Sequence, residues 1–442
     1  MIRKSVKRVS PQPPLGKGGL SGPRCSLLIR SAVASGPSAA ILRDVNDTNI
    51  QDVWMLEPDL LFLNHGSFGS CPRPVLEAQA RRREQMERQP VEFFVRRLGA
   101  AYDEARAVVA RFLGGEADNL AWVPNATSGI NAILRSMDLR PGDELLTTDH
   151  EYNACRNVLE FAAARADARV VVAEVPFPLS GPEQAVEAIV ERVTSRTRLL
   201  LVDHVTSQSA LVMPIEALVR ELRDRDVEIL IDGAHAPGMV PIDLGALDVE
   251  YYVGNCHKWL CAPKGAGFLH VRDDRQASVR PAIISHGANS TRTDRSRYLI
   301  EFDWMGTADP TAVLCVPDAL HFMESLLPGG WPELYSRNRD LALAGRRVLC
   351  AALDVPPPCP DEMIGAMASL PLPPGERQLP NSALYADPLQ DVLLEKWRIE
   401  VPIIPWPASP RRMIRISAQV YNRIEQYERL AEALAKVLAS NA

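Results

Sequence analysis

Lys258 has an unusual setting for a lysine. It follows His257 in the run YYVGNCHKWLCAPKGAGFLHV, residues 251–271, among aromatic residues and ahead of Pro-Lys-Gly-Ala-Gly. A solvated surface lysine needs no such surroundings. A lysine that acts as a nucleophile must shed its proton near neutral pH, and burial or nearby positive charge promotes that loss. Asp232 lies 26 residues earlier in ILIDGAHAPG, directly after three apolar residues, with Gly233, His235 and Gly238 beyond it.

An acid at the end of a central strand points into the crevice where open α/β sheets bind their ligands. A lysine at the end of the next strand completes a pair that suits one chemistry, the binding of pyridoxal phosphate. The lysine forms the Schiff base, and the aspartate keeps the pyridine nitrogen protonated so that the ring can accept electrons from a carbanion. Such a site also needs a phosphate cradle, and WVPNATSGINAIL has the right parts. A strand runs into Asn125-Ala126-Thr127-Ser128-Gly129, where a helix begins. Small residues expose backbone N–H groups, and a helix N-terminus favours an anion. Alone, each piece is ordinary: strand-end aspartates often cap turns, Asn-Ala-Thr-Ser-Gly often caps a helix, and most lysines are solvated. Their joint occurrence, in this order, is the signal.

The elements that must position these residues are legible as well. Short runs LAWV, ELLTTD, RVVVAEV, RLLLVDHV, EILIDGA, YYVGN and GFLHV alternate with helical stretches such as YNACRNVLEFAAARA and IEALVRELRDRD. That rhythm predicts an α/β fold with a mostly parallel sheet buried on both faces. Ahead of it, residues 74–114 predict two helices closed by Gly114-Gly115. Beyond about residue 315 the texture changes to helices, a Pro-rich stretch at 354–380, the strand candidate RRMIRISAQV and a closing helix. These predict a smaller α+β domain. The expected division is 46–315 for the N-terminal segment plus large domain and 316–442 for the small one. Residues 1–43 hold no Asp or Glu. They suit a transit peptide, or a stretch read through a misassigned start, and in both cases a disordered extension over 1–45.

Composition sets outer bounds. The 442 residues, 46% apolar and 24% charged, suit a globular chain of two or three domains. A net charge of −6 leaves no basic excess to recruit nucleic acid. The mixed charges argue against a membrane-surface role, and no apolar run approaches the roughly 20 residues of a spanning helix. Eight scattered cysteines (25, 71, 155, 256, 261, 315, 350, 359) include no CxxC pair. They argue against a metal module and for a reducing compartment, hence a cytoplasmic location.

The order NATSG, DHEYNA, DHVTSQSALVMPI, DGAHAPG, GNCHKWL and GAGF resembles class V aminotransferase-fold enzymes. FLNHGSFGSCPRPVLEAQ and EFDWMGTADPTAVL are similar to the isopenicillin N epimerase-like branch, and the likeness spans about residues 55–435. The resemblance implies the aspartate aminotransferase-like architecture called fold type I. It implies that Lys258 carries the cofactor, that Asp232 pairs with its pyridine nitrogen, and that Thr127 and the Ala126 backbone hold its phosphate. Asn255 and His257 would approach the phosphate; His235, Ser207 and Gln208 would approach the ring hydroxyl. His150 matches the ring-stacking position, with Tyr152 the alternative for that face. Gly306 and Thr307 would reach the phosphate of a neighbouring subunit, which implies a homodimer with shared sites. Arg415 would clamp the substrate α-carboxylate, a task suited to two parallel N–H donors. Asn64 and His65 would line the substrate mouth, His65 being as readily a cap for the first helix.

Three reactions then compete: epimerisation at Cα, β-elimination, and desulfuration through a cysteine persulfide. The last needs a cysteine shortly before Arg415, but EKWRIEVPIIPWPASPRRMIR has none, and the last cysteine is Cys359. Cys256, beside His257, reads as a small packing residue. The branch implies an epimerase-like enzyme, with Lys258 deprotonating Cα and Tyr152 or His150 as second acid or base. The alternative is a C–S β-lyase acting on a cysteine conjugate, of the hercynylcysteine sulfoxide lyase or cysteine lyase type. A scaffold that binds cofactor without turnover stands against the joint presence of lysine, aspartate and arginine.

Overall fold

The computed structural model describes residues 50–375 and 387–440. The expectation for 1–45 and the end of the Pro-rich stretch lie outside the described residues. All seven strand candidates of the large sheet form: β2 (Leu120–Val123), β3 (Glu144–Thr148), β4 (Arg169–Ala173), β5 (Thr197–Asp203), β6 (Glu228–Gly233), β7 (Tyr251–Asn255) and β8 (Gly267–Val271), preceded in the chain by a short β1 (Leu61–Phe62). Their order is β2-β8-β7-β6-β5-β3-β4. Only β8 runs against the others, pairing antiparallel with both β7 and β2.

Burial on both faces explains why the strands read as continuous apolar runs. In β5, Leu199 and Leu201 join one cluster with Ile130, Ile133, Cys155, Leu159 and Leu230, while Leu200 and Val202 join the other with Val109, Ile215, Leu218 and Ile231. The two-residue alternation of a strand thus assigns every side chain to a face. Asp203 and Asp232 share the face covered by the helices Ala126–Ser136 and Asn153–Ala166. They are also register partners at the C-terminal ends of β5 and β6.

The C-terminal part holds a second sheet, β11 (Ile403–Pro405), β12 (Arg412–Ser417) and β9 (Met367–Leu372), all antiparallel, with β12 in the middle. β9 lies inside the stretch read as Pro-rich, where no strand was expected. It is an edge strand of the sheet, where Pro371 breaks no ladder. A further short strand, β10 (Ile399–Glu400), pairs in parallel with β1, and Ser417 N donates to Leu63 O. The segment before the first long helix is therefore tied to the C-terminal sheet, a pairing of high sequence separation that no local pattern announces. The two helices expected at 74–114 appear as Arg73–Arg88 and Leu98–Phe112, joined by a π-helical turn at Glu92–Arg97.

Two glycines let the chain pass close to the lysine. Gly69 has φ +67°, and a Cβ there would sit 2.2 Å from His257 O and 2.9 Å from Lys258 Cα. Gly238 has φ +87°, with a Cβ position 2.6 Å from the Trp259 carbonyl carbon. Both positions exclude side chains on two counts, conformation and space. Among the described residues no helix is long and apolar enough to cross a membrane.

Candidate functional site

Lys258 follows β7, and its Nζ lies 3.0 Å from His235 Nε2. The other ring nitrogen of His235 accepts from Trp259 Nε1 at 3.4 Å. His235 is buried, and burial together with the charge of Lys258 holds its pKa well below the usual value, so the ring is neutral. A neutral imidazole that accepts at Nδ1 carries its proton on Nε2. Nε2 therefore donates, and Lys258 can accept only as an uncharged amine. Burial and the nearby Arg415 guanidinium bring the Lys258 pKa down to about 8, against the pull of Asp232 and Asp203. Geometry and electrostatics agree on an amine that gives up its proton readily.

Asp232 is buried, and its two oxygens accept from Ala234 N at 2.8 Å and from the Cys155 thiol at 3.3 Å. At the start of the helix Ala126–Ser136, Asn125 caps by accepting from Ser128 N at 2.9 Å. Ala126 N donates to Asn255 Oδ1 at 2.9 Å. The Ala126 amide expected to meet a phosphate is thus already engaged, and Asn255 acts by bracing the turn. Thr127 N–H and hydroxyl have no partner among the described residues and remain available at the helix N-terminus. His257 Nδ1 bonds Ala266 O at 3.1 Å, and burial lowers its pKa to about 4.

Arg415 sits on β12 and is 2% exposed. It donates to Ser207 O at 2.5 Å, Ser207 Oγ at 3.3 Å, Ser67 Oγ at 2.9 Å and Asn64 Oδ1 at 3.4 Å, all neutral oxygens. Ser207, expected near the cofactor ring, is here a partner of Arg415. Gln208 gives its backbone carbonyl to Ser369 Oγ at 2.6 Å, while its side-chain Oε1 is buried with no partner among the described residues. His65 is fully buried: Nδ1 meets Tyr421 Oη at 2.9 Å and Nε2 meets the Lys258 carbonyl at 3.1 Å. It braces the lysine backbone, neutral because burial drops its pKa to about 3.

His150 and Tyr152 part company. His150 is buried with Nδ1 on Ser209 Oγ at 2.5 Å and Nε2 on Val175 O at 3.0 Å. Its ring packs against Trp406, centroids 4.5 Å apart, and Phe177. No hydrogen bond or ring contact among the described residues joins it to Lys258, Asp232 or His235. Tyr152, two residues on, is 41% exposed at the start of the helix Asn153–Ala166. Gly306 and Thr307 are exposed, with no hydrogen bond among the described residues to the 125–128 turn of their own chain.

Sequence reasoning passed over Glu151, Asp203 and Cys155, which gather with Asp232 in one buried group. Glu151 Oε2 lies 2.9 Å from the Thr147 hydroxyl, and Oε1 accepts from Tyr152 N at 3.0 Å. Glu151, Cys155 and Asp232 bring one polar atom each within 4.8 Å of one another. The signal for Asp203 was present: RLLLVD and EILID end alike, and strands in parallel register bring their terminal acids together.

Residues 70–326 match the family model for aminotransferase class V. Isopenicillin N epimerase of Amycolatopsis lactamdurans is 35% identical over 400 residues, covering 87% of this chain and 97% of that protein. L-cysteine desulfhydrase of Arabidopsis thaliana is 28% identical, covering 85% and 87%. Among solved structures, a lysine-to-alanine variant of C-DES with glycine covalently linked to its PLP cofactor superposes with a TM-score of 0.70 at 20% identity, over 86% of this chain and 97% of that one.

Proposed function

The chain belongs to the class V aminotransferase family, and from that premise we propose that it acts at Cα of an amino-acid-type substrate as an epimerase-like enzyme. The residues present fit pyridoxal phosphate: an amine that can be neutral, a buried carboxylate behind it, and an unsatisfied amide and hydroxyl at a helix N-terminus. Bound there, pyridoxal phosphate supplies an electron sink that lowers the barrier to breaking a bond at Cα. Lys258 would be its attachment point, Asp232 its pyridine-nitrogen partner and Thr127 its phosphate partner.

The observation that carries the reading is the amine of Lys258, which a histidine with its tautomer fixed from behind by Trp259 meets as an uncharged acceptor, and whose pKa is brought down to about 8. Such an amine can take the Cα proton. Arg415 would hold the α-carboxylate, orienting Cα toward the lysine. Tyr152, exposed and fixed at its backbone N–H by Glu151, is the group we assign to the opposite side, in place of His150. The relation to isopenicillin N epimerase favours a second proton transfer over loss of a leaving group. With isopenicillin N in deuterium oxide, recovered substrate and its epimer should both carry deuterium at Cα. The relation to L-cysteine desulfhydrase supports the second reading, C–S β-elimination. Pyruvate formed from a cysteine conjugate, with no Cα exchange in isopenicillin N, would sink the epimerase and leave the lyase.

We also infer a homodimer whose copies share sites through the exposed 306–307 segment. Mixing inactive Lys258→Ala and Thr307→Asp proteins should restore activity, because one site of the mixed dimer then receives both native groups. A monomer in sedimentation, or no recovery on mixing under exchange conditions, counts against shared sites.

A further inference from the structure

Three carboxylates are buried together beneath the lysine. Asp232 and Asp203 are register partners on adjacent strands, and Glu151 approaches Asp232 from the start of the helix Asn153–Ala166. The exposures are 2% for Asp232, 3% for Asp203 and 6% for Glu151. Three negative charges this close cannot all persist in a dry pocket opposite one amine that is itself readily neutral. The hydrogen bonds say which acid ionises. Asp232 receives two donors, Ala234 N–H and the Cys155 thiol. Burial and the surrounding acids raise the Cys155 pKa well above its usual value, so the thiol keeps its proton and can only donate. Asp203 Oδ2 is buried with no hydrogen-bond partner among the described residues, an arrangement hostile to a carboxylate and tolerable for a neutral acid. Glu151 also meets two groups, but one of them is a hydroxyl: the Tyr152 N–H donates to Oε1, while Thr147 Oγ, 2.9 Å from Oε2, can turn to accept the proton of a neutral acid. The Cys155 thiol lies within 4.8 Å of both Glu151 and Asp232.

We propose that Glu151 and Asp203 are held as neutral carboxylic acids, leaving Asp232 the one ionised carboxylate of the group, and that Glu151 is a positioning residue joining the backbone of Tyr152 to Asp232. The consequence for cofactor binding rests on the reading above, but the assignment of protons does not. It makes the anion under the site single and defined, so that a protonated pyridine nitrogen would meet one full charge. It also couples the residue on one side of that ring to the acid at its edge.

Burial lifts the pKa of all three acids, Asp232 included, but for Asp232 the Ala234 N–H, the Cys155 thiol and the charge of Lys258 all pull the other way. Burial, then the charge of Asp232, lifts the Glu151 pKa from 4.5 to about 8, and burial with the charges of Glu151 and Asp232 lifts that of Asp203 well above its usual value. For a carboxyl whose folded pKa is raised, stability is fully present below the unfolded pKa and is lost as pH rises through the folded one. The groups facing Glu151 are Asp232, Asp203 and Cys155, with Lys258, His235 and the Tyr252 phenol beyond them; all are common to wild type and variant.

The test uses the full chain without cofactor. The infrared difference between wild type and Glu151→Gln, and separately Asp203→Asn, should show loss of a protonated-carboxyl C=O band at pH 6. The melting temperature of Glu151→Gln relative to wild type should climb between pH 5 and pH 8, since only wild type must then ionise or strain that carboxyl. Glu151→Gln should keep pyridoxal phosphate affinity within about threefold, whereas Glu151→Leu, which strands Thr147 Oγ and the Tyr152 N–H, should lose about tenfold. Loss of carboxylate bands instead, with a flat melting difference, overturns the proton assignment. A protein that binds no pyridoxal phosphate at all would defeat the cofactor reading while leaving the infrared result to stand on its own.

Discussion

Lys258→Ala should fold like wild type, show no visible absorbance band when pyridoxal phosphate is added, and lose activity by about ten thousandfold. The fold should tolerate the change because the side chain carries little of the structure: its one hydrogen bond among the described residues is to His235 Nε2. It is also a desolvated amine whose charged form the pocket already disfavours, so removing it relieves a cost. The chemistry should not survive, because attachment and proton transfer fall to the same nitrogen. In wild type the rate should rise with pH through a limb near 8, where that nitrogen sheds its proton. The residual rate of the alanine variant should lack that limb. Circular dichroism separates misfolding from loss of the amine. A visible band retained by the variant would place the attachment elsewhere and undo the reading of the site.

The sequence was most informative where a residue's type and its place on a strand coincide. Asp232 and Lys258 were legible because apolar runs ending in a polar residue mark strand C-termini, and the sheet brings adjacent termini together. Arg415 was legible through its motif, and its burial followed from the central position of β12 in the small sheet. His150 and Tyr152 could not be told apart by their motif; in the structure Ser209, Val175 and Trp406 surround the histidine, while Tyr152 is exposed. Glu151 was hidden because a glutamate before a helix reads as a solvated cap. β9 was hidden by its prolines, and the pairing of β1 with β10 by sequence distance, both settled by tertiary contacts rather than local preference.

Arg415→Met should raise KM and lower kcat/KM by about 10² to 10³, the loss expected when a charge-assisted two-point contact to a carboxylate is removed. Arg415→Lys keeps the charge but not the planar fork, and should recover only part of the loss. The two variants also separate holding from tuning. After burial, the Arg415 guanidinium is the largest influence lowering the Lys258 pKa. Without that charge the amine should bind its proton more tightly, so the rising limb of the pH–rate profile should move to higher pH in Arg415→Met and stay near its wild-type position in Arg415→Lys. Structural damage predicts something different: Ser207, Ser67 and Asn64 would lose the same donors whichever pH is used, and both limb and band would keep their places. A limb that moves with the charge, and a KM that follows the fork, would make Arg415 a residue with two duties, one toward the substrate and one toward the amine that deprotonates it. A limb unmoved in Arg415→Met would confine it to the first.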